Sequence, residues 1–295
     1  MQTSMAPNTP LLYAVIGNPI EHSRSPLIHR AFARQLGIDL SYEKIWAPID
    51  GFEETVTAFI KRGGRGMNVT VPFKLQAFDL AGRHSDRAQR ALAANTLVFP
   101  ANPAEPIYAD NTDGVGLVND LAFHGVNISG GRVLILGAGG ATRGVLAPLL
   151  QEAPRELVIA NRNPKRAYGL VEEFSDAAGD CLLSGCPLAE IEESRFDLII
   201  NATPASLSAQ LPPLPDALIG SGTAAYDMAY GAGPTVFMEW AEERGARALD
   251  GLGMLVEQAA ESFGLWHDQR PDTAPVRDEL RKEIREAAAE RDGED

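Results

Sequence analysis

The sequence predicts an α/β protein made of two successive domains. Three observations carry that prediction. The chain has 295 residues, enough for two cores. Short apolar runs alternate with helix-compatible segments along most of its length. In the second half this alternation becomes regular, which implies a parallel sheet covered by helices on both faces.

The elements follow in order. Leu12–Ile16 reads as a strand broken by Gly17-Asn18-Pro19. Ser25-Pro26 has the form of an N-cap and first-turn proline for a helix reaching about Leu36. A strand over Tyr42–Trp46 and a helix over Phe52–Arg62 complete a βαβα pattern. Gly66–Thr70 reads as a strand stopped by Pro72, and helical sequence containing Ala77, Leu80, Ala88 and Ala91 follows. Ala93–Phe99 is another strand. A proline-containing loop then leads to Ile107–Asp113, and a helix runs from about Gly114 to His124. Further strands are expected at Val133–Leu136, Leu157–Ala160, Leu198–Ile200 and Ala224–Met228, and proline marks Leu211–Pro215 as loop. Asp250–His267 is a glycine turn entering a helix. The residues from about Arg277 alternate in charge, with Asp278 and Lys282 at i,i+4, and read as an exposed helix.

The stretch RVLILGAGGATRG, Arg132–Gly144, runs from an apolar strand into glycines. Gly137 allows a tight turn, Gly139 lets the backbone approach a pyrophosphate, and the next helix aims its N-terminal dipole at that charge. The third glycine position of the dinucleotide fingerprint holds Thr142. After the following strand, NAD-selective loops carry an acid for the ribose hydroxyls. This chain has Arg162, Lys165 and Arg166 instead, cations suited to the 2′-phosphate of NADP.

Composition narrows the function classes. A formal net charge of −14 argues against general nucleic-acid binding and requires locally placed cations for any anionic ligand. No apolar run approaches the roughly 18 residues of a membrane helix, and MQTSMAPNTP lacks the form of a secretion signal. Two cysteines, Cys181 and Cys186, make neither a zinc site nor a disulfide framework. A cytoplasmic protein without a metal is the simplest reading.

Ligands of open α/β sheets bind beyond the carboxyl ends of strands. Asn68, Thr70, Asn111, Asp113 and the loop from Gly137 all fall at such ends and are expected to face one cleft. Lys74 and Asp113 each follow a strand within a polar segment. An alcohol–ketone interconversion needs a group that gives or takes the hydroxyl proton while hydride moves, and a lysine with a carboxylate can do this. Ser23 and Ser25, near a helix start, could bind a carboxylate by hydroxyl donation. Simple helix capping also suits Ser25. His22 and His29 read as structural.

Together these stretches resemble the shikimate dehydrogenase family over nearly the whole chain to about Asp272. The motifs stand as GNPIEHSRSP, NVTVPFK, ANTL, DNTDGVG, GAGGATRG with NR…R, NATP, YDMAY and DGLGMLVEQA. The resemblance implies NADPH-dependent, reversible reduction of 3-dehydroshikimate to shikimate, in the pathway to aromatic amino acids, by a monomer or homodimer. It implies an N-terminal α/β substrate domain, residues 1–112 with 251–295, and a Rossmann-type parallel-sheet NADP-binding domain, 113–250, with the cleft between them. By motif match, Ser23 and Ser25 hold the substrate carboxylate, and Lys74 and Asp113 are the catalytic pair. Thr70, Asn95, Tyr230 and Gln258 hydrogen-bond the ring hydroxyls or the carboxylate. Gly137, Gly139, Gly140 and Ala141 approach the pyrophosphate. Asn161, Arg162 and Arg166 take the 2′-phosphate end, and Ala202, Thr203, Met228, Gly251 and Met254 line the nicotinamide side. Two departures stand out: Asn163 where the family commonly has Thr, and Pro204-Ala205-Ser206 in a loop that is usually Ser- and Gly-containing. Two alternatives remain: a quinate/shikimate paralogue with broader cofactor use, and a non-catalytic homologue that senses the metabolite.

Overall fold

The structure, a computed structural model, describes residues 10–203, 211 and 214–292. It comprises two compact units. The first runs up to Thr112 and takes in Ala259–Val276. The second comprises Asp113–Gln258 and the chain from Arg277 onward.

In the first unit, β1 (Leu11–Gly17), α1 (Ser25–Leu36), β2 (Leu40–Trp46), α2 (Phe52–Lys61) and β3 (Gly64–Val69) alternate as expected. Then follow α3 (Lys74–Leu80), a two-residue β4 (Arg83–His84), α4 (Asp86–Ala91), β5 (Thr96–Val98) and β6 (Tyr108–Asp110). The sheet order is β2-β1-β3-β5-β6-β4. β1 pairs in parallel with β2 and β3, whereas β5 runs antiparallel to both β3 and β6. This reversal shortens the expected strand at Ala93–Phe99 and brings its amino end beside the carboxyl end of β3. Ser25 is the first helical residue rather than the cap. Arg24 holds the cap position without a side-chain bond, and Pro26 still falls in the first turn.

α1 buries Ile28, Ala31 and Phe32 on one face, together with His29. The His29 ring stacks on Tyr42 at 4.4 Å with planes 6° apart, and Trp266 lies 5.1 Å away. Neither of its ring nitrogens has a hydrogen-bond partner. Burial, with His267 adding in the same sense, pushes its pKa down to about 3. His29 is thus a structural histidine, as read from sequence, while His22 is exposed.

The second unit contains α5 (Asp113–Phe123), β7 (Arg132–Leu136), α6 (Gly140–Gln151), β8 (Glu156–Asn161), α7 (Pro164–Phe174) and β9 (Leu182–Pro187). These are followed by β10 (Leu198–Asn201), β11 (Ala224–Asp227), α8 (Val236–Glu242) and β12 (Arg247–Asp250). Its parallel sheet has the order β12-β11-β10-β7-β8-β9. The chain builds outward from β7 to β9, then returns to place β10 on the other side of β7. Alternate residues feed two cores. Val133 and Ile135 pack with α5 and α6, whereas Leu134 and Leu136 pack with α8. That double burial is why Val133–Leu136 is continuously apolar. β9 and β12 escaped the sequence reading because their exposed or polar residues break the apolar pattern.

α9 (Leu252–His267) begins in the second unit and ends in the first. In the second unit, α5 is held by close approaches that only glycine permits. A Cβ on Gly114 would meet Gly144 O at 2.7 Å, and one on Gly116 would meet the Gln258 backbone N at 2.8 Å. One on Gly253 would overlap the Asp120 carboxylate. Asp120 is fully buried, accepts a 2.7 Å hydrogen bond from the Tyr226 hydroxyl and pairs with Arg277, which also pairs with Glu257.

Arg277 and Arg281 lie on α10 (Ala274–Asp292). They correct two expectations. The resemblance puts the segment 251–295 wholly in the first domain, but Gly251–Gln258 and the chain from Arg277 group with the second unit, where Arg277 pairs with Asp120 and Glu257 and Arg281 with Asp250. Nor is α10 simply exposed: Val276, Leu280 and Ile284 are buried at i,i+4 spacing, and the exposed pair is Lys282–Glu286.

Two predictions follow from these buried groups. Arg277→Ala strands the carboxylates of Asp120 and Glu257 and should cost about 3–5 kcal/mol, read as a fall in urea midpoint. Lys282→Ala should change it little, and equal effects would refute the anchoring role. Keeping His29 neutral contributes stability that is complete above its ordinary pKa of 6.5 and is lost as pH falls toward its folded value of about 3, at up to about 1.4 kcal/mol per pH unit. His29→Phe should flatten stability against pH between about 6 and 4.5; a slope equal to wild type would remove His29 as its source.

Candidate active site

The first unit gathers polar groups at the edge where β1 and β3 end. The reversal of β5 is what makes this edge rich. Asn68 pairs with Thr96, and Thr96 with Asp110, so residues from three strands lie level. Asn68 accepts from the Tyr42 hydroxyl at 2.7 Å and donates to Thr96 Oγ1 at 3.2 Å and Ser262 Oγ at 3.0 Å. Asn95 donates to Thr112 Oγ1 at 2.9 Å, while its own oxygen accepts from the Thr112 amide and from Thr96 Oγ1. A buried network this well satisfied is rigid.

Onto this frame are fixed the predicted residues of the first unit. Lys74 is the first residue of α3, half-buried, and its carbonyl accepts from the Ala94 amide at 2.8 Å, which ties α3 to the entry of β5. Thr70 is tied to β1 through its amide on Ile16 O at 3.0 Å. The Ser23 hydroxyl lies 3.2 Å from that of Ser25, and its oxygen accepts from the Ser25 amide. Asn95 is only 3% exposed and serves the network first. Asn68, Thr96, Thr112 and Ser262 were not singled out as supports; the polar spacing of NVT and NT was the available signal.

In the second unit the glycine loop leaves β7 beside β10, where the strand order reverses. Gly137 has φ +106°, and a Cβ there would meet the Thr203 methyl at 3.1 Å and Ala202 O at 3.2 Å. The loop therefore needs glycine for both conformation and space. Thr142 is fully buried and its hydroxyl donates to Gly137 O at 2.8 Å, so the departure from the fingerprint closes the turn from inside. A Cβ added at Gly139 or Gly140 would meet nothing within 4 Å, and Gly139, Gly140 and Ala141 are exposed. α6 starts here with no side-chain cap and no acid in its first turn. This opening, at a helix N-terminus, fits a pyrophosphate.

Arg162, Lys165 and Arg166 are all exposed at the start of α7, and among the described residues none is in a salt bridge. Asn161 also links two turns. Its oxygen accepts from Ala138 N at 3.2 Å and its amide donates to Asn163 O at 2.8 Å, which joins the glycine loop to the next turn. Asn163 caps α7 by accepting from the Lys165 amide. Thr203 donates to Asn201 Oδ1 at 2.7 Å, and Asn201 donates to Asp227. Asp227 also accepts from Ala229 N and from Thr235 Oγ1. Asn201 and Asp227, absent from the predicted set, brace the strand ends bearing Ala202 and Met228. Gly251 packs against the Met228 carbonyl, with its amide on Ala229 O at 3.0 Å. Gln258 donates to Leu255 O at 2.8 Å and lies against Gly116 on α5, the helix whose first residue is Asp113. Tyr230 and Met254 are half-buried. Pro204, Ala205 and Ser206 lie outside the described residues.

A groove of about 550 Å³ at the amino-terminal edge of this sheet, lined by Gly125, Ser129, Asp197, Gly222 and Arg247, contains none of the predicted residues. Among the described residues no cluster of His, Cys, Asp or Glu could hold a metal ion, and no helix is long and apolar enough to cross a membrane.

An open parallel sheet with a glycine turn at its switch point and unpaired cations after its next strand defines a dinucleotide-binding unit. Joined to an α/β unit presenting hydroxyls and a lysine at its strand ends, it places the protein among the nicotinamide-dependent oxidoreductases. The comparisons narrow this class. Residues 15–97 match the shikimate dehydrogenase substrate binding domain, 120–209 match shikimate / quinate 5-dehydrogenase, and 251–281 match the shikimate 5′-dehydrogenase C-terminal domain. The NADP(+) shikimate dehydrogenase of Chromohalobacter salexigens is 55% identical over 92% of this chain and 98% of its own. An enzyme of Pseudomonas putida has a structure superposing with a TM-score of 0.86 at 48% identity, over 92% of this chain and 98% of the other. Shikimate 5-dehydrogenase of Thermus thermophilus, solved with NADP(H) and shikimate, gives 0.82 at 33% identity, over 92% and 99%. The chain belongs to the shikimate dehydrogenase family.

The exposed cations around the start of α7 generate a prediction. Replacing both Arg162 and Arg166 with Ala should raise the Kd for NADP at least about tenfold while that for NAD changes less than about twofold, by fluorescence titration. Equal weakening of both would remove these side chains from the 2′-phosphate.

Proposed function

We propose that the protein catalyses the NADPH-dependent, reversible reduction of 3-dehydroshikimate to shikimate, in the route to aromatic amino acids. One observation carries the choice of cofactor: among the described residues, exposed Arg162, Lys165 and Arg166 are in no salt bridge, in a chain of net charge −14 and beside an open glycine turn. The relatives' names supply the substrate class. When bound, the reduced nicotinamide supplies a hydride to the substrate carbonyl carbon.

The chain's own residues do the rest. Ser23 and Ser25 offer hydroxyls, already 3.2 Å apart, to a carboxylate. Lys74 offers a cation to the carbonyl oxygen and stabilises the negative charge that grows there. Lys74 and Asp113 together deliver the proton that turns that oxygen into a hydroxyl, so hydride plus proton yields the alcohol and the reverse reaction removes both. Thr70, Asn95, Tyr230 and Gln258 hydrogen-bond the ring hydroxyls or the carboxylate and so orient the ring. Ala202, Thr203, Met228, Gly251 and Met254 shape the nicotinamide side.

Steady-state rates with shikimate and quinate, each with NADP and NAD, test this reading. Shikimate with NADP should give the highest kcat/KM, and a quinate/NAD value equal to or above it would overturn the assignment. In the same assays Lys74→Ala should lower kcat by about 10²–10⁴ while shikimate still binds. Unchanged turnover would take Lys74 out of the chemistry.

A further inference from the structure

In the second unit, the residues after β11 run Met228, Ala229, Tyr230, Gly231, and those after β12 run Asp250, Gly251 and into α9. These two exits are laced together. The Gly251 amide donates to Ala229 O at 3.0 Å, and Gly251 lies against the Met228 carbonyl so closely that a Cβ would collide with it. Asp227 holds the start of the β11 exit by accepting from Ala229 N at 3.0 Å. Further along, a residue from α10 reaches in. Arg281 Nη1 donates to Gly231 O at 3.2 Å and to Asp250 Oδ2 at 2.7 Å, and Nη2 donates to Asp250 Oδ1 at 2.6 Å. Asp250 Oδ1 also accepts from the Leu252 amide at 3.3 Å, at the start of α9. The guanidinium thus makes a planar two-pronged pair with one carboxylate and spends a further bond on the neighbouring loop.

We infer that Arg281 is a positioning residue: from outside the site it clamps the β11 exit to the β12–α9 turn and so fixes where Tyr230 points. This rests on the assignment of Tyr230 to the substrate in the proposed function. The chemistry of the contact argues for position rather than mere attachment of α10. That helix already has its own anchor in Arg277, paired with Asp120 and Glu257 one turn earlier. Its buried face carries Leu280 and Ile284 as well. Arg281 instead ends on a backbone carbonyl adjacent to Tyr230 and on the residue preceding Gly251. Its side chain is 30% exposed and that of Asp250 is 8% exposed, so the pair is sheltered enough to hold geometry. A loop fixed before the ligand arrives does not have to be ordered on binding.

The test compares Arg281→Ala, Arg281→Lys and wild type by steady-state kinetics and by hydrogen exchange of the peptides covering 228–233 and 274–292. Arg281→Ala should raise the KM for shikimate about five- to tenfold and leave the KM for NADP within about twofold. Exchange in 228–233 should quicken while 274–292 keeps its protection. Arg281→Lys, which keeps the charge but not the two-pronged geometry, should recover only part of the shikimate KM. An Arg281→Ala enzyme with an unchanged shikimate KM overturns the inference, as does loss of protection in 274–292, which would make Arg281 a fold anchor. If wild type does not turn over shikimate, the proposed function has failed. The exchange of 228–233 then decides the clamp alone: unaltered exchange refutes it and quickened exchange supports it.

Discussion

A carboxylate taken wholly out of water sets the conditions for the second unit. Asp120 sits on α5, where Tyr226 and Arg277 meet its carboxylate and His124 Nε2 lies 3.6 Å away. Each partner comes from a different element: β11 for the tyrosine, α10 for the arginine. The same spot on α9 must be Gly253, since any side chain would occupy the carboxylate's space. One ionised group therefore dictates which helix crosses α5, how closely, and what must follow from the C-terminal end of the chain. Gly114 and Gly116, in the DNTDGVG stretch, belong to the same geometry. They let α5 lie almost backbone to backbone against α6 and α9, which fixes the helix that starts at Asp113.

The first unit solves its problem with neutral groups. A parallel sheet alone would have brought only strand exits to the reactive edge. Running β5 backwards brings a strand entry there as well, and with it Asn95 and Thr96. These two, with Asn68, Thr112 and Ser262, form a buried network of uncharged donors and acceptors. Lys74 is tied by its backbone to that set through Ala94.

Much of this was legible in the sequence. The order of strands and helices, the glycine turn and the cation-for-acid exchange after β8 depend on local pattern, which a linear reading captures. What escaped the reading depends on pairing. The direction of β5 is decided by its neighbours, and its few apolar residues are compatible with either sense. β9 and β12 are edge strands, where one-sided burial leaves too little apolar pattern to see. The second role of Asn161, joining two turns, is invisible until Ala138 and Asn163 are brought near it. The C-terminal helix looked like a charged, solvated tail because its arginines are far in sequence from the acids they meet. Only folding shows that Arg277 and Arg281 are paired while, among the described residues, Arg162 and Arg166 are in no salt bridge.

Those uncommitted cations sit in a molecule whose total charge is −14. At low ionic strength, where screening reaches about 30 Å, an anionic nucleotide approaching from afar senses the excess of acids and is repelled. Close in, it senses the arginines and the helix terminus and is drawn in. Ionic strength therefore acts on the two stages in opposite directions: added salt quickens arrival and shortens the stay. The affinity of the cofactor is less sensitive to salt than either rate, because arrival and departure compensate.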